Sequence, residues 1–249
     1  MLEIRQLVKN YGNKKAVKGI SLSVKPGEIY GFLGHNGAGK TTTIKVCTGL
    51  LKPTAGQVTI QGYDIVKQPL EAKQKSGYVP ENPYLYNKLT GREFLETIST
   101  IYMKDRKKEA DKQIEELLET LQMSEHADLL IGTYSQGMRR KITLCAALFH
   151  NPQVIFLDEP TSGLDAASAK AAKDLFRKHA DKGASVLFTT HVLEIAERLC
   201  DRIGIIYQGQ LKAEGTFEEL KAQFESPGST LEDIFLNITE ETGKWGDES

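Results

Sequence analysis

Gly34-His35-Asn36-Gly37-Ala38-Gly39-Lys40-Thr41-Thr42 fits the phosphate-loop pattern G-x-x-x-x-G-K-[ST]. Glu28 to Leu33 before it reads as a buried strand, and Thr43 to Leu50 after it as a helix ending at a glycine. That is the strand–loop–helix setting the pattern requires. The glycines permit torsions that a Cβ forbids, so loop N–H groups can converge on phosphate oxygens at a positive helix N-terminus. Lys40 can then reach the β- and γ-phosphates, and the Thr41 hydroxyl can ligate Mg²⁺. The stretch predicts a nucleotide site.

Val154-Ile155-Phe156-Leu157-Asp158-Glu159 carries the second signal, an apolar strand ending in two carboxylates. At the C-terminal edge of a parallel sheet, such a pair faces the ligand crevice. Asp158 suits a Mg²⁺ held through water, and Glu159 suits a base for a water aimed at the γ-phosphate. Ala184 to Thr190 is another buried strand, with His191 at its end beside the same crevice. Two further features are ambiguous from the residues alone. Tyr11 could stack on an adenine ring or be an ordinary turn tyrosine. Ser135, within Tyr134-Ser135-Gln136-Gly137-Met138, is a helix N-cap that could face an anion or only begin a helix.

At 249 residues the chain can bury a full core. Its net charge of −1 argues against the basic surface that nucleic-acid binding needs. No run approaches the roughly 18 apolar residues of a membrane span, and Met1 to Arg5 does not read as a signal peptide. The expectation is a soluble, cytosolic chain whose membrane role, if any, comes through a partner. Cys47, Cys145 and Cys200 are odd in number and widely spaced, which predicts buried, reduced thiols.

In chain order, residues 2–8 and 20–24 read as strands around a turn at Asn10 to Asn13 containing Tyr11. Strands also read at 57–60, 76–80, 202–206 and 209–213, with Glu81-Asn82-Pro83 a loop. From Thr90 to about Asp128 the pattern turns helical. Thr90 with Glu93 forms a capping box, and Ile114, Leu117, Leu118 and Leu121 recur at helix spacing. The basic run Lys104 to Lys108 reads as a solvated linker between helices. Helices follow at 136–148, 166–180, 216–225 and 230–238, and then a polar end expected to fray.

Taken together, these pieces resemble the ATP-binding subunit of an ABC transporter over roughly residues 1–240. The correspondence runs from an aromatic loop (Tyr11) through Walker A (Gly34–Thr42), the Q-loop (Glu81), the signature (Tyr134–Met138) and Walker B (Val154–Glu159) to the D-loop (Ser162–Asp165) and the switch histidine (His191). The resemblance implies an α/β phosphate-loop NTPase (RecA-like) core with an antiparallel β subdomain and an inserted α-helical subdomain. It implies one domain over 1–249: core at 1–85 and 152–215, helical subdomain at about 86–151, helical tail at about 216–249. ATP and Mg²⁺ are the implied cofactors. Tyr11, the loop residues Gly34, His35, Asn36, Gly37, Ala38, Gly39, Lys40, Thr41 and Thr42, and Ser135, Gln136 and Gly137 of the signature would hold the nucleotide. Thr41, Glu81 and Asp158 would hold the metal. Glu159 would be the base, with His191, Glu81 and Asp165 assisting.

The implied partners are a second ATP-binding subunit, placed head to tail so that each ATP lies between one Walker A and the other signature, and a separate transmembrane permease. The chain would then sit on the inner face of the cell membrane. Two positions depart from the family: Glu81 stands where glutamine is usual, and Tyr-Ser-Gln-Gly-Met replaces L-S-G-G-Q. Both departures, and the tail Thr230–Thr239, resemble a bacterial exporter branch for drugs, antimicrobial peptides, lipids and polysaccharides. Ribosome-acting relatives carry two cassettes and DNA-repair relatives carry coiled-coil or zinc inserts; this chain has one cassette and neither insert. A regulator that hardly hydrolyses is disfavoured by Glu159 and His191, although Glu81 bears on it.

Overall fold

The computed structural model describes residues 1–224 and 230–243. Strands β1 (Leu2–Tyr11) and β2 (Lys14–Val24) form a hairpin, and β4 (Ala55–Ile60) and β5 (Tyr63–Asp64) extend it into a four-stranded antiparallel sheet, order β2-β1-β4-β5. The second sheet has six strands: β3 (Ile29–Leu33), β6 (Ser76–Val79), β7 (Val154–Asp158), β8 (Ser185–Thr190), β9 (Arg202–Tyr207) and β10 (Gln210–Gly215). Its order is β10-β9-β3-β8-β7-β6, parallel except for the β9–β10 hairpin.

The parallel strands are apolar on both faces because both faces are covered. Alternate residues divide between two cores with the two-residue period of a strand. Tyr30, Phe32, Phe156 and Leu187 face α1 (Lys40–Cys47) and the antiparallel sheet. Ile29, Ile155, Leu157, Val186 and Phe188 face the helical side. That side is built from α3 (Gly91–Tyr102), α4 (Lys107–Thr120), α5 (Gln136–Leu148) and α6 (Ala166–Asp181). A third core joins β9 and β10 to α7 (Leu193–Leu199), α8 (Phe217–Gln223) and α9 (Leu231–Gly243). Short α2 (Pro69–Gln74) precedes β6.

Register places the site. Leu33 pairs with Thr190, Asp158 with Thr189, and Val79 with Leu157. The C-terminal ends of β3, β8, β7 and β6 are therefore level. Gly34, His191, Glu159 and the loop carrying Glu81 leave one edge of the sheet together, where open α/β sheets bind ligands.

Several elements differ from the sequence reading. Strand β1 runs to Tyr11, opposite Lys14, so the turn is only Gly12-Asn13 with Gly12 at φ +55°. Tyr11 is thus the last strand residue, because the ladder continues until glycine supplies the positive φ of a two-residue turn. Helix α1 begins at Lys40 and not at Thr43, since Gly39 takes the cap position at φ +114°. The 90–128 region holds two helices broken at Met103–Arg106, with the start of the basic run in the break and its end in α4. Both bonds of the Thr90–Glu93 capping box form, and all four apolar residues expected along α4 are buried. Helices α2 and α7 have no counterpart in the sequence reading; at six and seven residues they are too short to show a helical period. Helix α9 continues past residue 238 to Gly243. Residue 225 of the expected α8 and the polar end at 244–249 lie outside the described residues.

Candidate functional site

A cavity of about 400 Å³ opens at the sheet edge, lined by Gly34, His35, Asn36, Lys40 and Thr41 of the loop, Glu81, Asp158, Glu159, Thr190 and His191 from the neighbouring strand ends, and Leu193, Glu232, Phe235 and Leu236. The loop is pinned at both ends. A Cβ on Gly34 would stand 2.5 Å from the Ile206 carbonyl oxygen, and one on Gly39 2.8 Å from that of Ala16. Between these anchors, Lys40 turns its ammonium back onto the carbonyls of Gly34 and His35. Burial lowers the Lys40 pKa, and the carboxylates of Glu159, Asp158 and Glu81 oppose that shift. A buried cation at the first residue of α1, enclosed by a glycine-rich loop at that helix N-terminus, is suited to a polyphosphate.

Asp158 is 1% exposed. Its Oδ1 accepts a 2.7 Å hydrogen bond from the Thr189 hydroxyl, while its Oδ2 is buried without a protein partner. A buried carboxylate oxygen left unpaired costs about 1–3 kcal/mol. It fits a cation beside the Thr41 hydroxyl, which lines the same cavity. Among the described residues no cluster of three or more histidine, cysteine or acidic side chains forms a closed metal cage. Mg²⁺ differs in needing only one or two protein ligands with phosphates and water.

Glu159 adopts φ +49° immediately after β7, a left-handed conformation costing about 1 kcal/mol outside glycine. Its N–H donates to the Thr189 carbonyl at 3.2 Å, and its Oε1 lies 3.0 Å from His191 Nδ1. The kink carries the carboxylate off the strand line toward the crevice. The Val192 N–H donates to the Thr190 hydroxyl at 3.0 Å, which tightens the turn that presents His191.

Glu81 is held through its backbone. Arg140 of α5, 3% exposed, donates from its two terminal nitrogens to the carbonyls of Pro80 and Glu81. Burial lowers the Arg140 pKa; the nearby Glu81, Asp158 and Glu159 act to raise it. The charge that Glu81 adds near the cavity therefore has a cation beside it.

The sequence profile of the ABC transporter family matches residues 17–162, more than half of the chain. The chain belongs to that family. It is 43% identical over 220 residues to the linearmycin resistance ATP-binding protein LnrL of Bacillus subtilis, covering 88% of this chain and 70% of that one. It is 39% identical over 222 residues to the bacitracin transport ATP-binding protein BcrA of Bacillus licheniformis, covering 89% and 71%. A solved ATP-binding subunit of an ABC transporter superposes with a TM-score of 0.92 at 31% identity, covering 96% of this chain and 99% of that one. The protein is an ABC ATP-binding subunit with the phosphate-loop NTPase fold, and an ATPase.

In this ATPase subunit the expected site residues divide into two groups. Walker A, Glu81, Asp158, Glu159 and His191 meet at one cavity; Gly37, Ala38, Gly39 and Thr42 complete the loop without lining it. Tyr11, Ser135, Gln136, Gly137 and Asp165 do not line it. Tyr11 is exposed, with the Lys9 ammonium 5.3 Å from its ring. Ser135 caps α5 by accepting from the Met138 N–H at 3.2 Å. Gln136 packs against Gly163 in the D-loop, which has φ +77°. Asp165 caps α6, accepting from the N–H and hydroxyl of Ser168, and these bonds lower its pKa.

Sequence reading missed Thr189, Arg140 and the contribution of α9. The Thr189-Thr190 pair closing an otherwise apolar strand was a usable signal. Arg140 was not, because a charged residue early in a helix is usually solvated. No helix among the described residues is long and apolar enough to cross a membrane.

Proposed function

We propose that this subunit binds MgATP in the cavity, hydrolyses it with Glu159 as the base, and powers a separate transmembrane permease that exports antibiotic-like amphiphiles. The observation that carries the catalytic part is the convergence of Lys40, Asp158, Glu159 and His191 on one cavity while the signature lies elsewhere. The α5 N-terminus, the second helix start suited to an anion, does not line the cavity of its own chain, so a second copy would supply it. That supports a head-to-tail pair with ATP between Lys40 of one subunit and Ser135, Gln136 and Gly137 of the other, Tyr11 against the adenine, and Asp165 communicating between sites. Residues 86–151 would be the helical subdomain that engages the permease, 1–85 and 152–215 the core, and 216–249 the tail. The subunit would thereby work at the inner face of the membrane.

Within the site, Thr41, Asp158 and Glu81 would hold Mg²⁺, which neutralises phosphate charge. Lys40 exchanges its carbonyl partners for phosphate oxygens. Glu159 accepts a proton from the attacking water, and His191 orients Glu159 before turning to the γ-phosphate side. Desolvation around Lys40 strengthens each of these contacts.

Export is supported by the linearmycin resistance and bacitracin transport relatives. The test is affinity purification of the tagged protein from membranes, followed by mass spectrometry. A multi-span membrane protein at stoichiometric level supports the reading. Ribosomes, DNA, or no partner beside robust ATPase activity would overturn the permease assignment.

A further inference from the structure

The outer half of the phosphate loop has little support from the core. Gly34 and Gly39 are locked against Ile206 and Ala16, but a Cβ on Gly37 would meet nothing within 4 Å. Beyond the bonds that Lys40 and Ala38 make to the His35 carbonyl, a side-chain contact on this exposed bend comes from the tail. The Phe235 ring of α9 meets the His35 ring edge-on, with centroids 4.7 Å apart and planes at 63°.

Helix α9 is seated firmly enough to serve as a support. Leu231, Ile234, Phe235 and Ile238 recur at helical spacing and are buried against Ile203, Ile205 and Leu33, the residue just before the loop. Thr230 and Asp233 cap its first turn reciprocally. The Leu231 N–H points to Glu197 of α7 at 3.4 Å. Glu232, Phe235 and Leu236 line the same cavity as Lys40 and Glu159.

We infer that Phe235 is a positioning residue for nucleotide binding: its ring holds His35, and through it the outer-loop amides, in the phosphate-receiving arrangement. The tail helix is thus a structural wall of the nucleotide cavity. Nucleotide occupancy and the seating of α9 are coupled, because each favours one loop geometry. The inference rests on the nucleotide reading of the cavity.

The test uses the full chain, with MgATP as the probe. Phe235→Leu keeps an apolar side chain in the α9 seat and removes the ring edge. It should weaken ATP binding about five-fold, the scale of one aromatic pair. KM for ATP should rise by a larger factor than kcat falls. Phe235→Tyr should recover most of the loss. In the wild-type protein MgATP should slow amide hydrogen exchange in α9 together with residues 34–37. This second readout decides the matter even if Phe235→Leu unseats the helix. Wild-type affinity in Phe235→Leu, or protection of the loop with none in α9, overturns the inference and leaves the ATP site standing. No ATP binding by the wild-type chain overturns both.

Discussion

His191 Nδ1 lies 3.0 Å from Glu159 Oε1, joining the residues that follow two adjacent parallel strands. Glu159 is 12% exposed at its side chain and His191 is 65% exposed. The carboxylate is therefore enclosed in the crevice, while the imidazole reaches it from the open side. An enclosed carboxylate with an exposed partner suits the proposed role of Glu159 as base in a site that closes on its substrate before chemistry.

Glu159→Gln should keep the shape of the pair and lose the proton acceptor. The expected result is near-wild-type ATP affinity with turnover reduced by about 10²-fold or more, the typical contribution of a positioned base. Parallel calorimetry and phosphate-release assays read both quantities. Wild-type turnover in this variant would remove Glu159 from the role.

Thr189→Val is close to isosteric and deletes the hydroxyl that donates to Asp158 Oδ1. With Oδ2 already unpartnered, both oxygens would be buried and unpaired. Denaturant melts should show a loss of about 1–3 kcal/mol. The Mg²⁺ concentration giving half-maximal ATPase activity should change as well. A stability loss with an unaltered Mg²⁺ dependence would argue that Thr189 supports the fold alone.

Ser135→Ala removes the α5 cap, which costs about 1 kcal/mol of stability. If that helix N-terminus meets the γ-phosphate of a partner's ATP, turnover and ATP-dependent dimerisation should fall far more than stability does. Sedimentation in the Glu159→Gln background, with and without Ser135→Ala, reads the dimer directly. Equal dimerisation in both would count against the head-to-tail arrangement.

His179 is 7% exposed on α6, and burial lowers its pKa from 6.5 to about 4, with Lys182 and Lys178 adding to the shift. The unfolded chain binds this proton before the folded chain does, so stability falls as pH drops from about 6.5 to about 4. The largest contribution of this one group is about 3 kcal/mol. His150 is likewise lowered to about 4 by burial and acts in the same direction. His179→Gln should flatten, without abolishing, the acid limb of a stability profile measured by urea melts between pH 7 and 5. An unchanged limb would assign the acid sensitivity elsewhere.

Much of this protein was legible in its sequence because the informative signals are local. Gly34 to Thr42 between an apolar strand and a helix, and Asp158-Glu159 at the end of another apolar strand, specify backbone shape and chemistry within a few residues. The Thr90–Glu93 capping box is similarly self-contained. Tertiary structure alone decided which of these pieces share a cavity, because strand order and register depend on long-range pairing. It brought Thr189 onto Asp158 and Arg140 onto the Glu81 loop across 31 and 59 residues, and set Phe235 of the tail against His35. Ser135 and Gly137 do not line the cavity, as expected of a signature that would serve a partner's site. Short-range rules cannot anticipate such contacts, since they arise when the cores on each side of one sheet close together.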